Sequence, residues 1–294
     1  MRFATLLEDD GPSWAVVDGD TLVLPTALSR NCRSLTDLVQ RGRATALAWG
    51  QRVLDDPRSR RQPLSGARLG APIMHPPRNV MCLGMNYAEH ARESLAASGK
   101  DFELPQTPVV FTKSATSVIG PYDAIPWDRR ATEQLDWEVE LGVVIGTGGR
   151  HIPEERALDH VFGYTVINDV SARDRQFGHK QFYLGKSVAG GCPMGPWLVT
   201  SDQLTDPHQL AVTCDVNGTR KQDGNTSDLI FNVAQIIHTL STVHPLVPGD
   251  VIATGTPSGV GFARKPPEFL RDGDEVECKV EGIGSIRNRV VAAD

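Results

Sequence analysis

Short segments rich in strand-forming residues, separated by glycine and proline, dominate this sequence from residue 76 onward. Segments of this length and composition are typical of β-strands. The regular alternation of strands and helices that marks a Rossmann fold or a TIM barrel is absent. The pattern therefore predicts an α+β fold that is mostly β. The predicted strands contain VMCLG, PVVFTK, WEVELGVVIG, VFGYTVIND, WLVT, LAVTCDV, VIATG, EVECKVEGIG and IRNRVV.

Local signals add one hairpin and two helices to this framework. Asn217-Gly218 predicts a type I′ hairpin, because both residues accept positive φ values. Apolar residues recur with helical spacing over residues 227–243, which predicts a helix there. A second helix is predicted over residues 34–54, with Ser34 as its N-cap.

The chain is predicted to divide into two parts. Residues 1–75 form a small N-terminal module with short strands and one helix, and residues 76–294 form the larger domain. The boundary is placed after DDPRSRRQPLSG, residues 55–66, because proline and charged residues are concentrated in this stretch, as in linkers.

Composition excludes several classes of protein. The net charge of −6 lacks the basic excess that non-specific nucleic-acid binding requires. We expect no membrane association and no secretory signal, since no apolar run is long enough and the N-terminus lacks the signal pattern. The five cysteines are scattered without a CxxC pair, which favours reduced, buried thiols and a cytoplasmic protein.

Two glutamates in the segment DWEVELGVVIG suggest a buried site. Side chains alternate along a strand, so Glu138 and Glu140 lie on one face and Trp137 and Val139 on the other. Asp169 ends another apolar strand, where an unpaired carboxylate would be costly to bury. Three carboxylates make a hard oxygen site, which favours Mg²⁺ or Mn²⁺, allows Ca²⁺ and disfavours zinc.

A candidate proton carrier lies in CLGMNYAEHARESLAASG. If this stretch is helical, His90 and Glu93 are neighbours at positions i and i+3. Glu93 would then hold the imidazole while His90 takes a proton. Asp136, two residues before Glu138, is compatible with a supporting role behind the ligands or with a solvated position.

Six ordered motifs resemble the fumarylacetoacetate hydrolase family, in particular its bacterial acylpyruvase and 2-hydroxyhepta-2,4-diene-1,7-dioate isomerase branch. They cover residues 76–294, and the N-terminal module also resembles that of longer bacterial members. The resemblance implies a mixed β-sandwich or β-roll core and a homodimer. The motifs are GMNYAEHARES, DWEVELGVVIG, INDVSARDRQ, GKSVAGGCPMGPWLVT, NGTRKQDGNTSDLIF and PGDVIATGTPSGVG.

The resemblance also implies roles for individual residues. A divalent metal, Mg²⁺ first and Mn²⁺ or Ca²⁺ as alternatives, would be held by Glu138, Glu140 and Asp169. The catalytic pair carried on a mobile lid would be His90 and Glu93, with Lys186 beside the metal. The residues expected to contact substrate are Arg173, Gln176, Thr256, Lys113 and Tyr183.

The activity that follows is metal-dependent hydrolysis of a carbon–carbon bond in a β-diketo acid such as an acylpyruvate. His90 would activate water and Lys186 would stabilise the developing oxyanion. Decarboxylation of a 2-oxo dicarboxylate, isomerisation of a 2-hydroxy-diene-dioate and a silent scaffold remain open alternatives. The loop after Lys186 reads Ser-Val-Ala-Gly-Gly instead of the Ser-Phe-Asp-Thr of many relatives, so the shape of the substrate is not fixed by the resemblance.

Overall fold

The computed structural model describes residues 1–26, 32–97, 99, 101 and 103–293, and it has the expected mostly-β α+β fold. Its strands are β1 (Arg2–Glu8), β2 (Gly11–Asp18), β3 (Thr21–Leu24), β4 (Arg60–Pro63), β5 (Leu69–Gly70), β6 (Val80–Gly84), β7 (Val109–Lys113), β8 (Val118–Ile119), β9 (Ile125–Trp127), β10 (Leu135–Asp136), β11 (Val139–Ile145), β12 (Val161–Asn168), β13 (Ser171–Ala172), β14 (Cys192–Thr200), β15 (Ala211–Val216), β16 (Thr219–Asn225), β17 (Val251–Ala253), β18 (Glu275–Val280) and β19 (Gly284–Ala292).

Helices are fewer than strands in the described residues. The α-helices are α1 (Leu35–Gln40), α2 (Arg43–Asp55), α3 (Ala88–Ala97), α4 (Arg173–Phe177), α5 (Tyr183–Lys186) and α6 (Val233–Val243). Short 3-10 turns lie at Ala115–Ser117, Glu154–His160, Thr226–Asp228 and Gly261–Ala263. None of the described helices is long and apolar enough to cross a membrane.

Two sheets carry most of the described strands. The larger runs in the order β4-β3-β2-β1-β14-β12-β11-β17-β6-β7, with β5 and β8 attached at its side. The smaller runs β16-β15-β18-β19-β9, and β10 pairs separately with β13. Strands β11 and β12 lie near the middle of the larger sheet and pair antiparallel, with Val139 opposite Asn168. Their ends therefore lie deep in the protein.

Each face of the larger sheet is covered by its own core. Val139, Leu141 and Val143 of β11 pack in a cluster with residues of the smaller sheet and of α6. Val144, the next residue along, packs in a second cluster with residues of α1 and α2. This alternation follows the two-residue repeat of a strand. Glu140 therefore lies on the face of β11 opposite Val139 and Leu141, as the sequence predicted.

The predicted hairpin is confirmed, whereas both long helices differ from their predicted bounds. The first is interrupted at Gly42, where the backbone turns to a φ of 84° between α1 and α2. Ser34 does cap α1, in a capping box with Asp37. The second begins only at Val233, because Asn232 forms the capping box that starts α6.

The N-terminal segment continues the larger sheet. Strand β1 pairs antiparallel with β14, and Phe3 lies opposite Leu198. Part of the predicted linker forms β4, which pairs with β3. The division into two domains after residue 75 stays a prediction, and the two predicted parts share one sheet.

Replacing Gly218 with alanine should lower the free energy of unfolding by about 1 kcal/mol, because an L side chain is strained at a φ of 73° in the hairpin turn. Urea denaturation measures the change. Gly84→Ala is the matched control, since its φ is ordinary and its new methyl group would make only van der Waals contacts with Val109 and Phe111. Equal stability of the two variants would contradict the strained turn.

Candidate active site

Three carboxylates meet at the end of β11 and β12. Each of Glu138, Glu140 and Asp169 places one oxygen within 4.8 Å of the others. The pairing of the strands brings them together: the N–H of Asp169 donates to the carbonyl of Glu138 at 2.8 Å, and the N–H of Glu138 donates to Asn168 Oδ1 at 3.0 Å. The exposed fraction is 4% for Glu138, 1% for Glu140 and 0% for Asp169. Three carboxylates at this depth need compensating positive charge.

Two lysines supply part of that charge. Lys186 Nζ donates to Glu138 Oε2 at 2.6 Å and to Asp169 Oδ2 at 2.8 Å. Lys113 Nζ donates to Asp169 Oδ1 at 2.6 Å and to the carbonyl of Val170 at 3.0 Å. Burial works against the charge of Lys186, but its two carboxylate partners outweigh burial and raise its pKa. Both lysines therefore place a positive charge against the carboxylate of Asp169.

Arg173 connects the cluster to a fourth carboxylate. Its Nε donates to Asp136 Oδ2 at 2.8 Å, and its Nη2 forms an ion pair with Glu138 Oε1 at 2.7 Å. Arg173 directly follows β13, whose pairing with β10 sets Asp136 beside it. Burial would raise the pKa of Glu138, but Lys186 and Arg173 outweigh it and hold that pKa below its ordinary range.

Asp136 has the supporting position that the sequence left open. Its side chain is fully buried and accepts four hydrogen bonds. Besides Arg173, the donors are the backbone N–H groups of Trp137 at 2.8 Å, Gly261 at 2.7 Å and Phe262 at 3.0 Å. Asp136 thus fixes both the guanidinium and the turn that carries Phe262.

Glu140 differs from the other two members of the cluster. Its Oε2 accepts a hydrogen bond from the N–H of Gly255 at 2.7 Å, and within the described residues it forms no ion pair with a lysine, arginine or histidine. Burial, together with the charges of Asp169 and Glu138, raises its pKa well above the ordinary value. A cation bound between the three carboxylates would remove that penalty.

The oxygen donor set fits a divalent metal ion, and the negative charge of the cluster favours a cation. Oxygen donors alone suit Mg²⁺, Mn²⁺ or Ca²⁺. The described ionisable groups around the cluster leave one negative charge in excess when all are ionised. They are the carboxylates of Asp136, Glu138, Glu140 and Asp169 and the cations Lys113, Arg173 and Lys186. Glu138, Glu140 and Asp169 are the residues that can hold such an ion.

His90 and Glu93 lie on α3, as the sequence predicted. His90 Nδ1 is 3.0 Å from Glu93 Oε1, and the imidazole is buried. Both oxygens of Glu93 also accept from the N–H of Gly259 at 3.0 Å. Glu93 therefore orients the imidazole and ties α3 to the loop after β17.

A cavity of about 180 Å³ lies beside the carboxylate cluster. His90, Glu138, Arg173, Gln176, Lys186 and Thr256 line its polar part. Gln176 Oε1 accepts from Arg173 Nη1 at 2.9 Å, so the amide nitrogen is left to donate to a ligand. The hydroxyl of Thr256 donates to the carbonyl of Val139 at 2.8 Å, which leaves no hydroxyl proton for a substrate.

Two residues predicted to contact substrate do not line this cavity. Lys113 is fully buried with its ammonium group against Asp169 and does not reach the cavity. Tyr183 begins α5 with its ring 43% exposed. The preceding residue, Phe182, lines the cavity instead. The two aromatic residues are adjacent in sequence, and the orientation of the short helix α5 decides which ring faces the cavity.

Sequence reasoning missed Gln222, which braces the loop after β17. Its Oε1 accepts from the N–H of Val139 at 3.0 Å, and its Nε2 donates to Thr256 Oγ1 at 2.8 Å. The residue sits in the polar strand β16, where its burial leaves no mark in the sequence. Phe111, Phe177 and Phe262 of the cavity wall were also missed, because sequence spacing does not show which apolar side chains face a cavity.

Residues 79–291 match the model of the C-terminal domain of fumarylacetoacetate (FAA) hydrolase. This match covers well over half of the 294 residues. The chain belongs to the fumarylacetoacetate hydrolase family. The resemblance inferred from the six motifs is thereby confirmed.

Relatives within the fumarylacetoacetate hydrolase family are enzymes. Oxaloacetate tautomerase YisK of Bacillus subtilis is 46% identical over 242 residues, which cover 82% of this chain and 79% of that protein. The human mitochondrial oxaloacetate tautomerase FAHD2A is 44% identical over 267 residues, 88% of this chain and 80% of that protein.

Solved structures of the family share the fold over the full chain. The fumarylacetoacetate hydrolase of Exiguobacterium antarcticum has a TM-score of 0.85 at 39% identity, with 100% of each chain covered. The 2-hydroxyhepta-2,4-diene-1,7-dioate isomerase of Mycobacterium marinum has a TM-score of 0.76 at 31% identity, covering 99% of this chain and 98% of that chain.

Asp136→Asn should lower the free energy of unfolding by about 3 kcal/mol, because it removes one of the two carboxylate partners of the buried guanidinium of Arg173. Chemical denaturation gives the value. The control, Asp128→Asn, removes a partly exposed carboxylate that pairs with the exposed Arg130 and should leave stability nearly unchanged. A loss below about 0.5 kcal/mol for Asp136→Asn would contradict its anchoring role.

Proposed function

We propose that this chain is a divalent-metal-dependent tautomerase that interconverts the enol and keto forms of a 2-oxo acid, with oxaloacetate as the first substrate to test. The observation that carries the proposal is the His90–Glu93 pair, whose side chains lie 3.0 Å apart and whose imidazole lines a cavity that reaches the carboxylate cluster through Glu138. The names of the tautomerase relatives support the same reaction.

Tautomerisation needs one group that moves a proton between oxygen and carbon. In the enol-to-keto direction the enol O–H bond breaks and a C–H bond forms at the neighbouring carbon, with no net loss of atoms or electrons. Glu93 engages Nδ1 of His90, which leaves Nε2 to take the proton and return it. The carboxylate of Glu93 also stabilises the imidazolium that exists between the two transfers.

The bound metal would polarise the 2-oxo group and, with it, stabilise the enolate. The residues of the chain supply the rest of the electrostatics. Lys186 carries its ammonium into the same cavity and can hydrogen-bond to developing negative charge on the substrate. Gln176 offers its amide nitrogen to a carboxylate. Of the metals that suit three carboxylates, we propose Mg²⁺ or Mn²⁺.

Hydrolysis of an acylpyruvate, the reaction favoured by the sequence, is the second candidate. Its support is the same dyad, since a histidine oriented by a carboxylate can also deprotonate water. Hydrolysis also requires a bound water and splits the substrate, so release of pyruvate distinguishes it from tautomerisation. Decarboxylation of oxaloacetate also releases pyruvate but needs chiefly an electron sink, and it should survive loss of His90.

Three further proposals concern the ligand class, the cellular location and the oligomeric state. We propose a small 2-oxo acid as the only ligand class besides the metal, a cytoplasmic location and a homodimer. A scaffold without activity would be favoured by a missing ligand or base, and Glu138, Glu140, Asp169, His90 and Glu93 are all in place.

Adding Mg²⁺ or Mn²⁺ should raise the thermal midpoint, because an ion at 100 times its Kd stabilises the folded state by about 2.7 kcal/mol. Glu140→Gln should abolish this shift without destabilising the metal-free protein, since its carboxylate forms no ion pair there with any of the residues that the structure describes. Differential scanning fluorimetry with and without EDTA measures both effects. The exposed Glu133→Gln variant serves as the control, and an unchanged shift in Glu140→Gln would place the metal elsewhere.

Purified protein with Mg²⁺ should accelerate the loss of enol absorbance of oxaloacetate, and EDTA should stop it. His90→Gln should lower kcat about 10²- to 10⁴-fold, the usual contribution of a positioned acid–base group. The exposed His75→Gln should leave it unchanged. Acetylpyruvate, assayed in parallel for pyruvate release, tests hydrolysis. Cleavage of acetylpyruvate with no effect on enol oxaloacetate would replace the first candidate with the second.

A further inference from the structure

The cavity has a polar floor and an apolar wall. The floor consists of the groups described above. Apart from the hydroxyl of Ser94, the rest of the lining is hydrocarbon, and it comes from β6, α3, β7, α4, the 3-10 turn at Gly261–Ala263 and the loops beside them. Its large apolar members are Leu83, Met85, Leu95, Phe111, Phe177, Phe182 and Phe262.

Four of these side chains are phenylalanines arranged as two pairs. The rings of Phe111 and Phe182 meet edge to face, with centroids 5.7 Å apart. The rings of Phe177 and Phe262 are tilted, with centroids 5.2 Å apart. Both separations lie within the range of favourable aromatic contacts. Phe177 is 52% exposed, so this pair forms the rim of the cavity.

Each pair begins directly beside a cation of the floor. Lys186 Nζ lies 4.9 Å from the centroid of the Phe111 ring, and Arg173 Cζ lies 4.4 Å from that of Phe262. These rings shield the cations from solvent and stabilise them by cation–π contact. A ligand whose charged end reaches the floor must therefore place its other end against the rings.

The wall offers little to a second charged group at that other end. Lys186 is already paired with Glu138 and Asp169, and Arg173 with Asp136 and Glu138. Among the described residues that line the cavity, His90 is the one further group able to carry positive charge. A small dicarboxylate keeps both charged ends near the floor, but an anionic tail long enough to lie against the rings would lose hydration without gaining a partner.

We propose that Phe111, Phe177, Phe182 and Phe262 form a subsite for an apolar substituent, best an aryl group, on the carbon next to the 2-oxo group. The chain then takes 2-oxo acids of the arylpyruvate class as well as small dicarboxylates. This assignment rests on the proposed function, because the carboxylate and 2-oxo oxygens must bind at the floor. The carboxylate and 2-oxo group would occupy the polar part of the cavity, and the aryl ring would lie at its open rim beside Phe177 and Phe262.

The chemistry at the reacting atoms is unchanged by such a substituent. In the enol of an arylpyruvate the O–H proton leaves through His90, and the benzylic carbon gains a C–H bond. The ring contributes binding by leaving water, and it needs no further reactant.

Calorimetric titration with two unreactive mimics in the presence of Mg²⁺ tests the subsite. Oxamate supplies the carboxylate and the neighbouring carbonyl. N-benzyloxamate carries in addition a benzyl group, with its phenyl ring, on the amide nitrogen. N-benzyloxamate should bind at least about tenfold more tightly than oxamate, because burial of the phenyl group adds apolar contact area. Phe177→Ala and Phe182→Ala should each reduce this ratio while leaving the Kd of oxamate within about twofold.

Controls separate the subsite from the proposed function. Tyr183→Ala removes an exposed ring outside the cavity and should keep the ratio unchanged. Phe177→Ala truncates a half-exposed ring, so the variant should remain folded. Equal affinity for both mimics would overturn the subsite and leave the tautomerase proposal standing, and binding of neither would overturn both. Tight binding of N-benzyloxamate without turnover of oxaloacetate would uphold the subsite against the proposed reaction.

Discussion

Compensation of buried charge at the ends of β11 and β12 is the constraint on which the rest of the site depends. Glu138, Glu140 and Asp169 are removed from water by the strands that carry them, at a cost that only cations or strong hydrogen bonds can offset. Lys186 and Lys113 compensate two of the three. Within the described part of the chain Glu140 receives only a backbone N–H, and this asymmetry is the physical reason to expect a divalent ion in the cluster.

The same residues that create the charge problem also organise the loops around the cavity. Asp136 holds Arg173 and the turn of Phe262, and Glu93 binds both His90 and the N–H of Gly259. The loop contacts therefore come from groups that belong to the reacting centre. A change in the position or charge of one of these carboxylates should therefore also shift the aromatic wall.

Local patterns predicted the core of this site, and long-range packing decided the rest. The two-residue repeat of a strand was enough to place Glu138 beside Glu140, and the spacing of a helix was enough to pair His90 with Glu93. The inward position of Phe182 depends on how one short helix meets β7 and α4, which sequence spacing does not specify. The early end of the first helix at Gly42 likewise reflects how α1 and α2 pack on the sheet, and the periodicity continues across the break.

Anomalous scattering from a crystal grown with Mn²⁺ tests the central claim most directly. The charge argument predicts one strong peak, with an oxygen from each of Glu138, Glu140 and Asp169 at about 2.0 to 2.6 Å. The ammonium of Lys186 should then have moved away from Glu138 and Asp169 toward the cavity. A peak at another place, or no peak with Lys186 still bonded to both carboxylates, would contradict the account.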